Sequence, residues 1–217
     1  TLGSSNGVLT FTSTPDFEST HDSDANNSYV VQVQVSDGTN TDTQTITVSI
    51  LDVNEFTPVI TSDVGGSTAS ISNYAENSTS AVTTVTSTDG DGSSTATYSI
   101  SGTDVDDFTI DSSSGVLTFT SSPNFEVPTD SDTDNEYTVI VTVTDNGSLT
   151  DSQTITITVV DVNEAPVITS NSGGSTASIS VNENTSAVTT ITATDADASA
   201  TATYIISGTD VDDFTLD

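Results

Sequence analysis

Lysine and arginine are both absent from this chain of 217 residues, whereas Asp and Glu together number 32, so the formal net charge is −32. Nucleic-acid binding depends on Lys and Arg side chains that neutralise phosphates, and this class of partner is therefore excluded. An anionic membrane surface is excluded for the same reason. Salt bridges to Lys or Arg are impossible, so each acidic cluster must be solvated, hydrogen-bonded or neutralised by a cation.

Cysteine, methionine and tryptophan are also absent. A disulfide framework is therefore impossible, and no apolar run approaches the roughly 18 to 20 residues that span a bilayer. No signal segment opens the chain, so we expect both ends to be cut points and targeting signals to lie elsewhere. His21 is the only histidine, Thr129 stands at the matching position of the next repeat, and no Ser or Thr has a recurring neighbouring base. We therefore expect no enzymatic activity.

The sequence repeats with a period of about 108 residues. Gly-Val-Leu-Thr-Phe occurs at residues 7–11 and 115–119, and Asp-Val-Asn-Glu occurs at residues 52–55 and 161–164. Such periodicity indicates a tandem array of structural repeats. The predicted units are the C-terminal half of a repeat at residues 1–57, a complete repeat at residues 58–165 and the N-terminal half of a repeat at residues 166–217.

Apolar residues in the complete repeat alternate with polar ones, which is the period of a β-strand. The clearest run has Tyr137, Val139, Val141 and Val143 at every second position. Seven such segments, lettered A to G and beginning with a strand around residues 59–71, predict an all-β, seven-stranded sandwich. The half repeats lack the facing strands of their sandwich, so we expect Tyr29, Val31, Val33 and Val35 to be far more exposed than these counterparts.

The strand order divides the acidic residues between two poles. The BC and FG loops lie at the front pole with Asp89, Asp91 and Asp145, and the AB and EF loops lie at the rear pole with Glu76 and Glu126. Short linkers bring the rear pole of one repeat against the front pole of the next. Two carboxylates about 5 Å apart repel by roughly 3 kcal/mol at an effective dielectric near 20. Hard oxygen ligands without His or Cys favour Ca²⁺ as the neutralising ion.

Several short motifs occur in a characteristic order, and they are Glu76-Asn77, Asp89-Gly90-Asp91, Asn124-Phe125-Glu126, Asp145-Asn146-Gly147 and Asp161-Val-Asn-Glu-Ala-Pro166. This set resembles the cadherin repeat, and the Asp-Val-Asn-Glu-Ala-Pro form in a Lys-free chain looks like the repeats of giant bacterial surface adhesins of the RTX, type I secreted kind. The resemblance implies tandem Greek-key sandwiches, cadherin- and immunoglobulin-like, arranged as a rod. It also implies an extracellular or cell-surface location and a calcium-rigidified spacer or stalk in cell adhesion.

The resemblance further implies a ligand set for each junction. The first junction would use Asp16, Glu18, Asn54, Glu55, Asp89, Asp91 and Asp145. The second junction would use Glu76, Glu126, Asn163, Glu164, Asp195 and Asp197. Glu55 and Glu164 stand where the family has Asp, Asn124 stands where Asp is usual, and the second linker is one residue shorter than the family linker. These departures leave two or three ions for each junction.

Alternatives remain for several features. The Asp104–Asp107 segment favours a turn over a ligand role, because Asp caps turns through backbone amides. Asp130-Ser-Asp132-Thr-Asp134 is similar to the start of an EF-hand loop, but Val141 stands where the bidentate Glu belongs, so the segment is either an extra ion site or a solvated turn. A carbohydrate-binding module is the alternative function, although sugar platforms need exposed aromatic faces and Trp is absent. Expected partners are calcium, neighbouring repeats and other cell-surface proteins or polysaccharide.

Overall fold

The structure, a computed structural model, describes residues 7–92, 94–197 and 201–217. The strands in these residues are β1 (Ser28–Ser36), β2 (Thr41–Ser49), β3 (Val59–Ile60), β4 (Thr68–Ala75), β5 (Thr83–Thr84), β6 (Ser87–Thr88), β7 (Thr97–Ser101), β8 (Phe108–Ile110), β9 (Val116–Phe119), β10 (Glu136–Thr144), β11 (Thr150–Val160), β12 (Val167–Ile168) and β13 (Ala193–Thr194). Three-residue 3-10 helices occupy Val105–Asp107, Ser170–Ser172 and Val211–Asp213.

One layer of the middle repeat is a four-stranded sheet in the order β4-β11-β10-β7. The long strands β10 and β11 pair antiparallel, from Glu136 opposite Thr158 to Thr144 opposite Thr150. Strand β7 is antiparallel to β10, whereas β4 is parallel to β11. A register shift between Ile157 and Val159 interrupts the parallel pairing. Both long strands therefore have neighbours on each side and form the centre of this sheet.

The second layer is built from β3, β6, β5, β9 and β8. Strands β3 and β6 pair antiparallel, and β5-β9-β8 form an antiparallel set. Val85 donates its amide to Gly115 O over 2.8 Å, and Thr61 donates to Thr86 O over 2.8 Å. These bonds show that β5 and β6 are two parts of strand B. The predicted all-β sandwich with strands A to G is confirmed.

Strand A was predicted as one continuous segment around residues 59–71, but the structure divides it into two strands. It is split into β3, which pairs with β6, and β4, which pairs with β11 in the other layer. Between them, Asp63, Val64, Gly65 and Gly66 all have positive φ angles, from 50° to 84°. A chain segment in the left-handed region cannot continue a strand, so strand A crosses from one layer to the other.

The core lies between the two layers of the middle repeat. Tyr137, Val139, Val141 and Val143 are fully buried, as their alternation predicts. The ring of Phe119 lies 5.1 Å from that of Tyr137 in an edge-to-face arrangement, centroid to centroid. Such aromatic pairs add to the stabilisation that burial alone supplies.

The first repeat shows how much this burial depends on the facing layer. Strands β1 and β2 pair like β10 and β11, but no facing layer covers them in the described residues. Val31 is 36% exposed and Val35 is 66% exposed, whereas Val139 and Val143 are 0% exposed. Val33 and Tyr29 are half-buried. The predicted difference in exposure between the two sets of residues is confirmed.

Residues 166–217 form little regular structure in the parts that the structure describes. The strands there are β12 and β13, which pair with each other over two residues each. In the middle repeat, β4 and β7 pair with β11 and β10. The sequence holds no third copy of that long hairpin, so the equivalent segments have no central strands with which to pair.

Candidate calcium centres at the two linkers

The first linker docks onto the front pole of the middle repeat through hydrogen bonds. Asn54 Nδ2 donates to Asp145 Oδ2 over 2.9 Å, and the amide of Phe56 donates to Asp91 Oδ2 over 3.1 Å. Gly147 allows this approach, because a β-carbon there would lie 2.3 Å from Asn54 Cγ. We call the linker residues 52–56, together with the acidic residues around them, the first junction.

Two groups of three carboxylates form at the first junction. In each group, one oxygen of every member lies within 4.8 Å of the others, and the groups are Glu18-Asp52-Asp91 and Asp89-Asp91-Asp145. Asp91 belongs to both and is only 5% exposed. The first group combines a residue that precedes the linker, a linker residue and a residue that follows it. One cation could therefore bind all three parts of the chain.

The rear pole of the middle repeat is organised around Glu76. This side chain is 3% exposed, and its Oε1 accepts the amide of Val162 over 2.8 Å. Its Oε2 accepts the amide of Phe125 over 2.9 Å. Glu76 thereby fixes the second linker next to the loop that precedes Glu126. We call residues 161–164, together with the acidic residues around them, the second junction.

The second junction also holds two groups of three carboxylates. The groups are Glu76-Glu126-Glu164 and Glu126-Asp161-Asp197, again with one oxygen of each member within 4.8 Å of the others. Glu126 is the shared member. The second group joins the middle repeat, the linker and the segment that follows, as the group around Asp52 does at the first junction.

Burial and mutual repulsion shift the acidity of these groups. Desolvation by burial raises the pKa of Glu18, Glu126 and Asp161 above their usual values, and neighbouring carboxylates raise it further. For Glu126 these neighbours include Glu76 and Glu164. A raised pKa means that the charged form is disfavoured in the folded chain. The junctions therefore gain from a cation that neutralises the carboxylates.

The pKa of Asp145 is shifted in the opposite direction, below its usual value. Burial acts to raise its pKa, but hydrogen bonds from the Asn54 side chain and from the amides of Leu149 and Gly147 outweigh burial and lower it. A carboxylate that accepts several N–H groups is favoured in its charged form. Asp145 is therefore held as an anion at the front pole, oriented towards Asp89 and Asp91.

The clusters also contain buried oxygen atoms that accept no hydrogen bond within the described structure. These atoms are Asp91 Oδ1, Glu126 Oε2, Glu164 Oε2 and Asp197 Oδ1. A buried polar atom without a partner is costly, and native structures satisfy nearly all of them. Oxygen atoms of this kind, placed among carboxylates and without nitrogen or sulfur ligands, match the coordination preferences of Ca²⁺. The residues present therefore fit a calcium ion at each junction.

Calcium binding by the remaining predicted ligands, Asp16, Asn163 and Glu55, stays a prediction. Asp16 Oδ1 accepts the amides of Glu18 and Ser19, so it caps a turn and belongs to none of the carboxylate groups found in the described residues. Asn163 Nδ2 donates to the carbonyl of Glu164 over 2.8 Å. Glu55 lies outside the groups of three, although its charge helps to raise the pKa of Glu18.

Asp195 repeats the geometry of Asp89. Asp195 Oδ1 accepts the amide of Asp197 over 3.1 Å, and Asp89 Oδ1 accepts the amide of Asp91 over 3.0 Å. Asp195 itself belongs to none of the groups of three in the described residues. Its turn nevertheless orients Asp197 towards the second linker.

The structure adds Asp52 and Asp161 to the predicted set. Each is the first residue of an Asp-Val-Asn-Glu motif, and each joins a group that bridges its linker. The recurrence of this Asp in both copies was the signal in the sequence that could have identified it. The turn prediction for Asp104 also agrees with the structure, because this buried residue accepts the amides of Ser131 and Thr138 over 2.9 Å and 2.7 Å.

Among the described residues, no helix is long or apolar enough to span a bilayer.

Comparisons with known proteins give a family-model match over part of the chain and similar solved structures. Residues 67–160 match the family model of the cadherin domain, and a comparison with curated protein sequences gives no match. The protocadherin GammaB4 extracellular domain is 25% identical, with a TM-score of 0.51 over 69% of this chain and 23% of that one. Drosophila N-cadherin EC1-4 is 18% identical, with a TM-score of 0.58 over 74% of this chain and 37% of that one.

Mouse clustered PcdhgC3 EC1-3 is 20% identical, with a TM-score of 0.52 over 67% of this chain and 45% of that one. The chain thus spans less than half the length of each of these three solved structures. Residues 67–160 are therefore similar to the cadherin domain in sequence, and the sandwich fold is shared with these solved structures.

Proposed function

We propose that this chain is a calcium-binding segment of an extracellular, cell-surface adhesion protein, in which calcium at the linkers stiffens successive repeats into a spacer or stalk. One observation carries the proposal. At each junction a single carboxylate, Asp91 or Glu126, belongs to two acidic groups and has a buried oxygen without a hydrogen-bond donor in the described structure. A calcium ion would supply the missing positive charge at both places.

The position of the groups along the chain explains why binding would stiffen it. Glu126 belongs to the middle repeat, Asp161 to the linker and Asp197 to the segment beyond the linker. An ion held by all three restricts the angle at which one repeat follows the next. Without an ion, the same carboxylates repel each other. Calcium would therefore convert a flexible, repelling junction into a defined one.

The proposal includes the partition of the chain into residues 1–57, 58–165 and 166–217. It also includes an origin among repeats of the giant bacterial adhesin type, supported by the Asp-Val-Asn-Glu-Ala-Pro linker and the absence of Lys and Arg. It assigns no enzymatic activity, in keeping with a cadherin domain as a non-enzymatic adhesion module. Polysaccharide binding has less support, since rings such as Phe108, Phe119 and Tyr137 pack on one another instead of forming an exposed platform.

Equilibrium dialysis of the whole chain against calcium tests the proposal. Glu126→Gln removes the carboxylate shared by both groups at the second junction, so we expect fewer bound ions or a calcium affinity lowered at least tenfold. The matched control is Asp106→Asn, which also removes one negative charge but changes an exposed residue outside the junction groups. Equal calcium binding by the two variants would contradict the assignment of the ligands.

A further inference from the structure

The loop between β9 and β10 carries three aspartates that belong to neither junction. One carboxylate oxygen from each of Asp130, Asp132 and Asp134 lies within 4.8 Å of the other two. Asp132 and Asp134 are exposed, whereas Asp130 is only 3% exposed. Asp130 Oδ2 accepts the amide of Asp134 over 2.8 Å, but its Oδ1 is buried and accepts no hydrogen bond in the described structure. A buried carboxylate thus faces two exposed ones with one oxygen unsatisfied.

The corresponding loop of the first repeat has the same backbone arrangement. There, Asp22 Oδ2 accepts the amide of Asn26 over 2.8 Å, and Asp22 Oδ1 is also buried without a donor in the described structure. Asn26 Oδ1 accepts the amide of Ser28 over 2.8 Å, just as Asp134 Oδ1 accepts the amide of Glu136 over 2.8 Å. The two loops can therefore be compared residue by residue.

They differ in the bond that closes the loop. In the first repeat, Asn26 Nδ2 donates to Asp24 Oδ2 over 2.8 Å. In the middle repeat, Asp134 stands in place of Asn26 and has no side-chain N–H, so two carboxylates face each other. A cation between these carboxylates would hold them together, as the hydrogen bond from the Asn26 side chain holds Asp24 in the first repeat.

We propose that Asp130, Asp132 and Asp134 bind a calcium ion within the middle repeat, in addition to the ions proposed for the junctions. All three candidate ligands are carboxylates, which suit a hard divalent cation. The loop is anchored for this role, because the buried Asp104 accepts the amide of Ser131, which lies between Asp130 and Asp132, and the amide of Thr138, which follows the three aspartates. This site would be intrinsic to one repeat and does not require the junction ions.

The site can be tested on the whole chain by titration with calcium chloride. We expect the backbone amide resonances of residues 131–136 to shift on titration, and Asp134→Asn to abolish these shifts and to lower the number of bound ions by one. This variant recreates the pairing of Asn26 with Asp24, so the loop keeps its conformation. The reciprocal change Asn26→Asp should add one bound ion in the first repeat.

Asp106→Asn is the control for the loss of one charge and should leave the ion count unchanged. Glu126→Gln should alter binding at the second junction while the amides of residues 131–136 still shift, so failure of the loop site and failure of the junction sites are separable. The proposal is overturned if those amides do not respond to calcium in the unmodified chain, or if Asp134→Asn binds as many ions as the unmodified chain.

Discussion

The ring of Phe56 in the first linker lies directly against Gly90, which separates Asp89 from Asp91. A β-carbon on Gly90 would lie 2.5 Å from Phe56 Cγ, which is too close for any side chain. At the second junction the corresponding linker residue is Ala165, and Ala196 separates the two aspartates. The large linker residue Phe56 is therefore paired with Gly between the two aspartates, and the small linker residue Ala165 is paired with Ala at that position.

This match predicts the outcome of a double-mutant cycle at the first junction. Gly90→Ala forces the Phe56 ring away from the pole and should destabilise the docked linker by about 1 to 3 kcal/mol, the usual cost of overpacking. Adding Phe56→Ala should recover much of this loss, because the pair then matches the second junction. The measurement is the calcium affinity of each single variant and of the double variant. Strictly additive effects would show that the two residues do not act as a pair.

The acidity of the junction carboxylates predicts opposite effects of pH with and without calcium. Glu18 and Glu126 have pKa values above their usual 4.5 in the folded chain, so the folded state binds protons more tightly than the unfolded state. Without calcium, the midpoint of thermal unfolding should therefore rise as the pH falls from about 7 towards 5. With calcium, protons compete for the same oxygens, so the calcium affinity should fall over that range.

Asp145 does not disturb this window, since its pKa is lowered below its usual 3.8 and its stabilising contribution is lost only in more acidic solution. Glu126→Gln should reduce the rise of the unfolding midpoint without calcium, whereas Asp106→Asn should reduce it less. A midpoint that fell steadily from pH 7 to pH 5 in the presence of a chelator would contradict the assignment.

Chelation of calcium should loosen the linkers without unfolding the middle sandwich. The core residues Val139, Val141, Ile155 and Ile157 are fully buried and lie apart from the acidic poles. Hydrogen exchange should show faster exchange of the amides of Phe56 and Glu164, with the amides of β10 and β11 still protected. Loss of an ion from the loop between β9 and β10 would lower the unfolding midpoint by mass action. Unfolding of the whole repeat in one step would contradict the proposal of a separate core.

A further prediction concerns Gly115, the turn residue between β8 and β9. Its φ is +71°, and a β-carbon there would lie 2.1 Å from Val85 O. Gly115→Ala should lower the free energy of unfolding of the middle sandwich by about 2 to 5 kcal/mol, combining a left-handed residue with overpacking. Gly7 is the matched control, because it has a φ of +67° and nothing within 4 Å of the added carbon. If Gly115→Ala and Gly7→Ala changed the free energy of unfolding equally in chemical denaturation, the contact with Val85 O would not be the cause of the destabilisation.

Much of the sandwich could be predicted from the sequence because its signal is local. The alternation around Tyr137 and Val141 reflects which side chains face the core. Strand order alone then placed Asp89 and Asp145 at one pole and Glu76 at the other, and the structure brings the linkers to these poles.

The remaining details depend on how closely the linkers approach the poles, which a strand pattern does not encode. Asp52 and Asp161 join the carboxylate groups only because the linkers pass close to the loops, and Gly147 and Gly90 permit this approach at the first junction. Asp16 Oδ1 accepts two backbone amides, which the sequence pattern did not indicate, and calcium binding by this residue stays a prediction. The same residue type can accept backbone amides and join a carboxylate group, as Asp145 does, so the sequence alone does not show which aspartates come together.

Small-angle X-ray scattering of the whole chain, recorded with excess calcium and again with a chelator, tests the central claim most directly. If calcium stiffens the junctions, the chain in calcium should give a narrow distribution of interatomic distances with a defined maximum, and the chelator should broaden it. Glu126→Gln in calcium should resemble the chelated state at one junction, whereas Asp106→Asn should match the unmodified chain. Identical scattering curves with calcium and with the chelator would contradict the account.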